Sequence, residues 1–143
     1  MITIERLNEI EFSLLKEFSS REWPTADREH YGDEKIDFTK QWFAFVARDG
    51  EVIVGYIKCM FDMGILNMDS LIIAEKYRGQ GIATQLVATA EEKGKEMGGH
   101  KMRLETGSDW KAKDFYEKLG YRVRAELPDY YAHRNYVLMD KDL

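Results

Sequence analysis

The chain has 143 residues and a mass of 16.8 kDa, which corresponds to about one domain of ordinary size. Hydrophobic residues make up 44% and charged residues 33% of the sequence, which excludes a disordered chain and a membrane-spanning one. No apolar run approaches the ~20 residues of a spanning helix, and the first residues do not resemble a secretory signal. We therefore predict a single domain, residues 1–143, of a cytoplasmic protein that binds no membrane.

The chain is acidic overall but carries one basic segment. Its formal net charge of −5 argues against nucleic-acid binding. Residues 76–124 nevertheless hold eleven basic and seven acidic side chains, against ten and nineteen in the rest. This imbalance suggests an anionic ligand on the basic segment, although solvated helix faces explain the counts equally well. Cys59 is the only cysteine and the three histidines are scattered, so we expect no disulfide and no metal.

The first part of the chain predicts a short strand, then a helix and then a two-stranded hairpin. Residues 1–6 alternate apolar and polar and predict a first strand. Asn8 and Glu11 have the spacing of a capping box ahead of a helical stripe that runs to Phe18. Residues 19–41 are irregular, with room for one short helix. Residues 43–48 and 51–61 then predict two strands joined by an Asp-Gly turn.

The remaining chain alternates strands with amphipathic helices. Strands are predicted over residues 65–73, 101–106, 121–127 and 135–140. One helix starts at Ile82 and ends at Gly98-Gly99, and a second, capped by Ser108 or Asp109, ends at Gly120. The order β-α-(α)-β-β-β-α-β-α-β-β implies a mixed sheet of the α/β (α+β) class with helices on both faces.

A glycine-containing turn in the basic segment has the features of a phosphate site. Tyr77-Arg78-Gly79-Gln80-Gly81-Ile82-Ala83-Thr84 joins an Ile- and Leu-rich strand to a long helix. Two glycines let the backbone N–H groups of such a turn converge, and the positive end of the helix dipole points the same way. Arg78 adds a fixed positive charge. Neither a Walker loop nor a dinucleotide fingerprint fits this spacing.

Two motifs resemble signatures of the GNAT superfamily of acyl-CoA-dependent N-acetyltransferases. Arg78-x-x-Gly81-x-Ala83 matches Gln/Arg-x-x-Gly-x-Gly/Ala, and residues 109–121 resemble Asn-x-x-Ala-x-x-Phe-Tyr-Glu-Lys-Leu-Gly-Phe. The resemblance implies a GNAT-like fold, a six- or seven-stranded, mostly antiparallel sheet splayed between its fourth and fifth strands, with acetyl-CoA in the opening. Family members often dimerise, so a homodimer is also implied.

The resemblance further implies which residues hold acetyl-CoA. The backbone of residues 78–84 would bind its diphosphate, main-chain groups near Leu71 and Ile73 would pair with its pantetheine arm, and Tyr116 would protonate the departing thiolate. Asp109 stands where the family usually has Asn, and an ionised carboxylate cannot donate a hydrogen bond there. The predicted coenzyme-binding residues are Leu71, Ile72, Ile73, Arg78, Gly79, Gln80, Gly81, Ile82, Ala83, Thr84, Asp109, Ala112, Phe115 and Tyr116.

A base must take a proton from the attacking ammonium. By the two-residue period of a strand, Asn67, Asp69, Leu71 and Ile73 fall on one face, where Asp69 is the only ionisable side chain. We therefore predict Asp69 as the base, against the alternative of an ordinary surface carboxylate. Tyr116 has an alternative role as a core residue of its helix.

The acceptor is a cationic amine in this interpretation, because the chain outside the basic segment is acidic. Aromatic residues would form a wall for it, and we predict Trp23, Tyr31, Asn67, Tyr130 and Tyr131 as substrate-binding residues. Polyamines, aminoglycoside-like amines, amino-acid derivatives, protein lysines and protein N-termini all remain open. The predicted function is direct acetyl transfer in a ternary complex, and the alternative is an acyl-CoA sensor or partner-binding module without catalysis.

Overall fold

The computed structural model describes all 143 residues and divides them into two compact units, residues 1–37 and residues 38–143. The single domain predicted from the sequence stays a prediction. The N-terminal unit contains one helix, α1 (Leu14–Tyr31), preceded by a single 3-10 turn over Glu9–Glu11. The predicted capping pair forms, since the Asn8 N–H donates to the Glu11 carboxylate at 3.2 Å. It caps this 3-10 turn, however, and not α1, whose N-cap is Ser13.

Two predictions for the N-terminal unit are wrong. Residues 1–6 form no strand, because a strand exists only through hydrogen bonds to a neighbour and no strand pairs with these residues. The segment predicted as irregular is helical as far as Tyr31, with Pro24 inside the helix. Proline removes one hydrogen bond, yet the surrounding Lys, Glu and Arg residues favour helix. The helix ends at Gly32, whose φ of 67° is accessible to glycine.

The second unit is built on a six-stranded mixed sheet in the order β1-β2-β3-β4-β6-β5. Every neighbouring pair is antiparallel except β3 and β4. The predicted mixed sheet and the Asp-Gly hairpin are therefore confirmed. The strands are β1 (Gln41–Asp49), β2 (Val52–Asp62), β3 (Ile65–Ile73), β4 (Lys101–Gly107), β5 (Arg122–Leu127) and β6 (Tyr136–Asp142).

Two helices of this unit, α2 (Ile82–Glu96) and α3 (Lys111–Lys118), share one hydrophobic core with the sheet. Both helices pack on the sheet face that carries Leu66 and Met68. The predicted caps of α3 are wrong, because Trp110 occupies the N-cap and makes no side-chain capping bond. The largest fully buried core side chains are Ile57, Cys59, Leu66, Val87, Met102 and Met139. No helix is both long enough and apolar enough to traverse a bilayer.

Strands β3 and β4 separate along their length. Their parallel pairing comprises only Ile65–Lys101, Leu66–Met102 and Asn67–Arg103, although the strands have nine and seven residues. Beyond Asn67 the backbone edge of β3 that faces β4 has no strand partner. This opening is the splay predicted between the fourth and fifth strands, which are β3 and β4 here because the first predicted strand does not form.

A β-bulge at Asp69 overturns the predicted face of β3. The pairing with β2 shifts between Lys58–Ser70 and Cys59–Met68, which leaves Asp69 as the extra residue. An extra residue reverses the alternation of side chains. Leu71 and Ile73 therefore lie on the core face with Leu66 and Met68, while Asn67 lies on the opposite face and Asp69 in the bulge. The four residues Asn67, Asp69, Leu71 and Ile73 do not share a face.

Helix α2 approaches the sheet closely at Gly94. A Cβ placed on Gly94 would lie 2.9 Å from Leu66 Cδ2 and 3.2 Å from Leu143 Cδ1. Alanine favours helix by about 1 kcal/mol over glycine, but overpacking a filled core costs about 1–3 kcal/mol. Because Leu66 is fully buried, we expect Gly94→Ala to lower the free energy of urea unfolding. In a Leu66→Ala background, Gly94→Ala fills the space left by the leucine and should raise the free energy of unfolding. If Gly94→Ala lowers the free energy of unfolding in both backgrounds, close packing against Leu66 is contradicted.

Candidate active site

The predicted phosphate loop, residues 78–84, has the geometry of an anion cradle. Gly79 and Gly81 have φ values of 75° and 81°, which L-residues rarely adopt, and Gly81 is the N-cap of α2. The first hydrogen bond of the helix runs from the Gln85 N–H to the Gly81 carbonyl at 3.1 Å. The N–H groups of residues 82–84 precede it and have no acceptor within the helix. They are available to an anion at the positive end of the helix dipole.

Arg78 is held at the edge of this loop by the backbone. Its Nε donates to the carbonyl of Ile73 at the end of β3, at 3.0 Å. This bond uses one of the five guanidinium donors and leaves the terminal nitrogens for an anion. The side chain thereby places a fixed positive charge beside the N–H groups of the loop.

The loop borders a cleft of about 360 Å³, called the first cleft below. It brings together eight of the predicted coenzyme-binding residues, while Leu71, Ile72, Gln80, Asp109, Ala112 and Tyr116 do not line it. Ile72 points away, being 53% exposed on the opposite sheet face. The lining residues are Ile73, Tyr77, Arg78, Gly79, Gly81, Ile82, Ala83, Thr84 and Phe115.

Tyr116 lies at the point where β3 and β4 separate. It is the buried residue of α3, and its hydroxyl donates to the sulfur of Met68 at 3.3 Å. Met68 immediately follows Asn67, the last residue of β3 that pairs with β4. Burial raises the pKa of Tyr116 to about 12, with a smaller contribution from Cys59. The phenol therefore keeps its proton throughout the neutral pH range, as a proton donor requires.

A second cleft, of about 400 Å³, opens on the other side of the same separation. It contains three predicted residues, Asn67, Asp69 and Tyr131. Tyr130 does not line it, and Trp23 and Tyr31 belong to α1 in the N-terminal unit, so these three stay predictions. The complete lining is Trp42, Met60, Asn67, Met68, Asp69, Arg103, Leu104, Glu105, Tyr131 and Tyr136.

A chain of hydrogen bonds crosses the second cleft. Arg103 donates to the Asn67 side-chain oxygen and to Glu105 Oε1, both at 3.0 Å. Glu105 Oε2 accepts from the Tyr131 hydroxyl at 2.6 Å. This bond to a carboxylate raises the pKa of Tyr131. The chain fixes Tyr131, whose loop contains three residues of positive φ, Asp129, Ala132 and His133.

Arg103 and Glu105 were not predicted as site residues. The sequence contains a pattern that could have indicated them, because they alternate in β4 with the buried residues Met102, Leu104 and Thr106. A two-residue period places them together on the face opposite the core. Their position beside Asn67 depends on the parallel pairing of β3 and β4, which the sequence alone does not specify.

Asp109 and Cys59 lie apart from the two clefts. Asp109 borders a third cleft of about 500 Å³ with Trp110, His133 and Arg134. Cys59 is fully buried in the core, and burial raises its pKa to about 12, with a smaller contribution from Asp69. A thiol in this environment stays protonated and is a poor nucleophile, so Cys59 is a residue of the core. No group of side chains has the composition of a metal site.

Comparison with known sequences identifies one family. The sequence model of the acetyltransferase (GNAT) family matches residues 8–121, a range that includes parts of both units. The chain is 38% identical over 104 residues to N-alpha-acetyltransferase 30 of Schizosaccharomyces pombe, covering 66% of this chain and 68% of that protein. It is 34% identical over 79 residues to blasticidin-S acetyltransferase of Streptomyces morookaense, covering 54% of each.

Solved structures share the fold. An acetyltransferase from Bacillus cereus ATCC 14579 superposes with a TM-score of 0.78 at 23% identity, covering 99% of this chain and 98% of that one. A GNAT family acetyltransferase from Elizabethkingia anophelis with acetyl-CoA bound gives a TM-score of 0.65 at 20% identity, covering 70% and 75%. The fold expected from the two sequence motifs is therefore confirmed.

Proposed function

Because the chain belongs to the acetyltransferase (GNAT) family, we propose that it transfers an acetyl group from acetyl-CoA to a primary amine by direct attack in a ternary complex. The observation that carries the proposal is the loop of residues 78–84, whose N–H groups and guanidinium match a diphosphate in charge and hydrogen bonding. In acetyl-CoA the diphosphate is joined to a long thioester arm. An arm that leaves the first cleft along the unpaired edge of β3 ends near Tyr116.

The residues at the separation of the strands supply the groups that acyl transfer needs. A backbone N–H near Leu71 polarises the thioester carbonyl. Asp69, directly or through a water, accepts a proton from the ammonium, and the neutral amine attacks the carbonyl carbon. The C–N bond forms, the C–S bond breaks, and Tyr116 gives its proton to the departing thiolate. The surplus proton on the new amide nitrogen passes, directly or through a water, to the tyrosinate and restores the Tyr116 phenol. Tyr116 and Asp69 are the catalytic residues of this proposal.

The acceptor is an amine on a small molecule or on a protein. Both relatives with defined names are acetyltransferases, one an N-alpha-acetyltransferase and the other a blasticidin-S acetyltransferase. The second cleft is the proposed acceptor site, with Asn67 and Tyr131 among the residues that contact the substrate. The homodimer and the cytoplasmic location expected from the sequence stay predictions.

Release of free CoA thiol across a panel of primary amines tests this function. We expect thiol release that depends on both acetyl-CoA and an amine, with the acetylated amine identified by mass spectrometry. Parallel initial-rate patterns would indicate an acetyl-enzyme intermediate and contradict direct attack, whereas intersecting patterns are expected. Binding of acetyl-CoA without turnover on any amine would support the alternative of a non-catalytic acyl-CoA-binding module.

A further inference from the structure

Of the three charged side chains that line the second cleft, Arg103 and Glu105 pair with each other. Glu105 is bound at both oxygens, by Arg103 at 3.0 Å and by the Tyr131 hydroxyl at 2.6 Å. The side chains of Arg103 and Glu105 are only 39% and 25% exposed, so water screens this pair less than a surface pair. The positive charge of Arg103 therefore cancels the negative charge of Glu105 inside the cleft.

Asp69 is the carboxylate of this cleft that has no cationic partner. Its only side-chain hydrogen bond is from the Ser70 hydroxyl, at 3.4 Å. One negative charge thus remains among the lining residues, and it lies at the bulge of β3, next in the chain to Met68, whose sulfur accepts from the Tyr116 hydroxyl. A single ammonium group beside the thioester would neutralise it.

The walls around this charge are apolar and aromatic, and the Lys58 ammonium lies against one of them, 4.8 Å from the centre of the Trp42 ring. Trp42 and Met60 are paired residues of β1 and β2 on one side of the cleft. Tyr131 and Tyr136 meet edge to face on the other side, with ring centroids 5.0 Å apart. These groups favour an apolar stem next to the amine, and a second ammonium would find no free carboxylate among the lining residues.

We propose that the acceptor of this cleft is a monocationic amine with an apolar group beside it, and that Arg103 sets this selectivity by cancelling the charge of Glu105. The inference rests on the proposed function and narrows its substrate class. It assigns Arg103 as a specificity-determining residue that need not touch the reacting atoms. Polycationic acceptors, which need several free carboxylates, are disfavoured by the same arrangement.

The test compares matched acceptors that differ in one charge, hexylamine and hexamethylenediamine, within the amine panel. The wild-type protein should have the higher kcat/KM for hexylamine. Arg103→Met frees the charge of Glu105 and should shift the ratio toward the diamine by about tenfold, the effect of roughly 1.4 kcal/mol of added attraction. The shift should shrink as salt is added, because both side chains keep part of their surface in water, where ions screen them.

Three further variants separate charge from structure. Arg103→Lys keeps the charge and should keep the wild-type ratio, and Glu105→Gln should disfavour the diamine further. Arg124→Met removes an arginine that pairs with Asp140 on β6, outside the cleft, and should leave the ratio unchanged. If Arg103→Met does not fold, Arg103→Lys and Glu105→Gln still decide the question.

The outcomes distinguish this inference from the proposed function. A wild-type preference for diamines, or a ratio that Arg103→Met and Glu105→Gln leave unchanged, overturns the inference while acetyl transfer stands. Transfer to no amine in the panel overturns both. A ratio that follows the charge at positions 103 and 105 and responds to salt supports the inference, since a merely structural loss would lower both rates together.

Discussion

Replacing Tyr116 with phenylalanine should lower kcat by about a hundredfold or more, within the usual range for loss of a general acid, and leave the affinity for acetyl-CoA unchanged. The substitution removes one hydroxyl and keeps the ring that packs in the core. The lost hydrogen bond, to the Met68 sulfur at 3.3 Å, is a weak one, so the fold should be retained. Thiol release at saturating amine and calorimetric titration with acetyl-CoA measure the two quantities.

Tyr121 offers a matched control. Its ring contacts that of Tyr116 with centroids 5.8 Å apart, it is similarly buried, and its hydroxyl donates to Glu91 at 2.9 Å. Tyr121→Phe also deletes a buried hydroxyl, but one that faces α2. It should cost about 1–3 kcal/mol of unfolding free energy, because it removes a donor from a carboxylate, without lowering kcat. Equal rates for Tyr116→Phe and Tyr121→Phe would contradict the acid role.

The burial of the Tyr116 hydroxyl also determines how kcat should depend on pH. With a pKa raised to about 12, Tyr116 holds its proton at every pH below that range, so it should not cause a decline in kcat between neutral pH and pH ~10. The ratio of wild-type to Tyr116→Phe rates should therefore be constant over this interval. A ratio that fell as pH rose toward 9 would indicate a more acidic donor than this phenol.

Features encoded by short segments were predictable from the sequence. The Asp-Gly hairpin, helix α2 and the loop of residues 78–84 each depend on a few adjacent residues, namely glycines at positive φ and an apolar period of 3.6. The splay of β3 from β4 came from the family resemblance, because no residue pattern in either strand specifies where their pairing stops. The structure places the loop of residues 78–84 at the start of α2 and Tyr116 at the splay, and the roles of these residues toward a coenzyme stay predictions.

Features that depend on pairing between distant segments were not predictable. The bulge at Asp69 arises from the register of β3 against β2, and no glycine or proline in residues 65–73 indicates it. Assuming a regular strand therefore placed Asn67 and Asp69 on one face with Leu71 and Ile73. Asn67 and Asp69 instead line the second cleft, whereas Leu71 and Ile73 face the core. Arg103 and Glu105 were missed for a related reason, since their partners Asn67 and Tyr131 are 36 and 26 residues away.

The loop of residues 78–84 carries the second large expected effect. Reversing its charge with Arg78→Glu should weaken acetyl-CoA binding by about a hundredfold, because it removes charge-assisted hydrogen bonds worth about 1.5–3 kcal/mol and adds repulsion. Gly81→Ala should weaken binding by about tenfold. No atom lies within 4 Å of the added Cβ, so the loss comes from the φ of 81° at the N-cap, where an L-residue costs about 1–2 kcal/mol. The free loop relieves this strain by leaving the binding conformation, and the coenzyme must restore it.

Lys93→Glu is the matched control for the charge reversal. Lys93 lies on the same helix, about 16 Å along its axis from Ile82 at 1.5 Å per residue, and forms an exposed pair with Glu96. Its reversal makes the same change in net charge but lies beyond a Debye length from the loop, so calorimetric titration should give wild-type affinity.

If Arg78→Glu and Lys93→Glu lose affinity equally, the general charge of the protein binds the coenzyme. If Arg78→Glu and Gly81→Ala both bind as the wild type does, the diphosphate is held elsewhere. Only a loss confined to the two loop variants agrees with N–H groups and a guanidinium that converge on one anion.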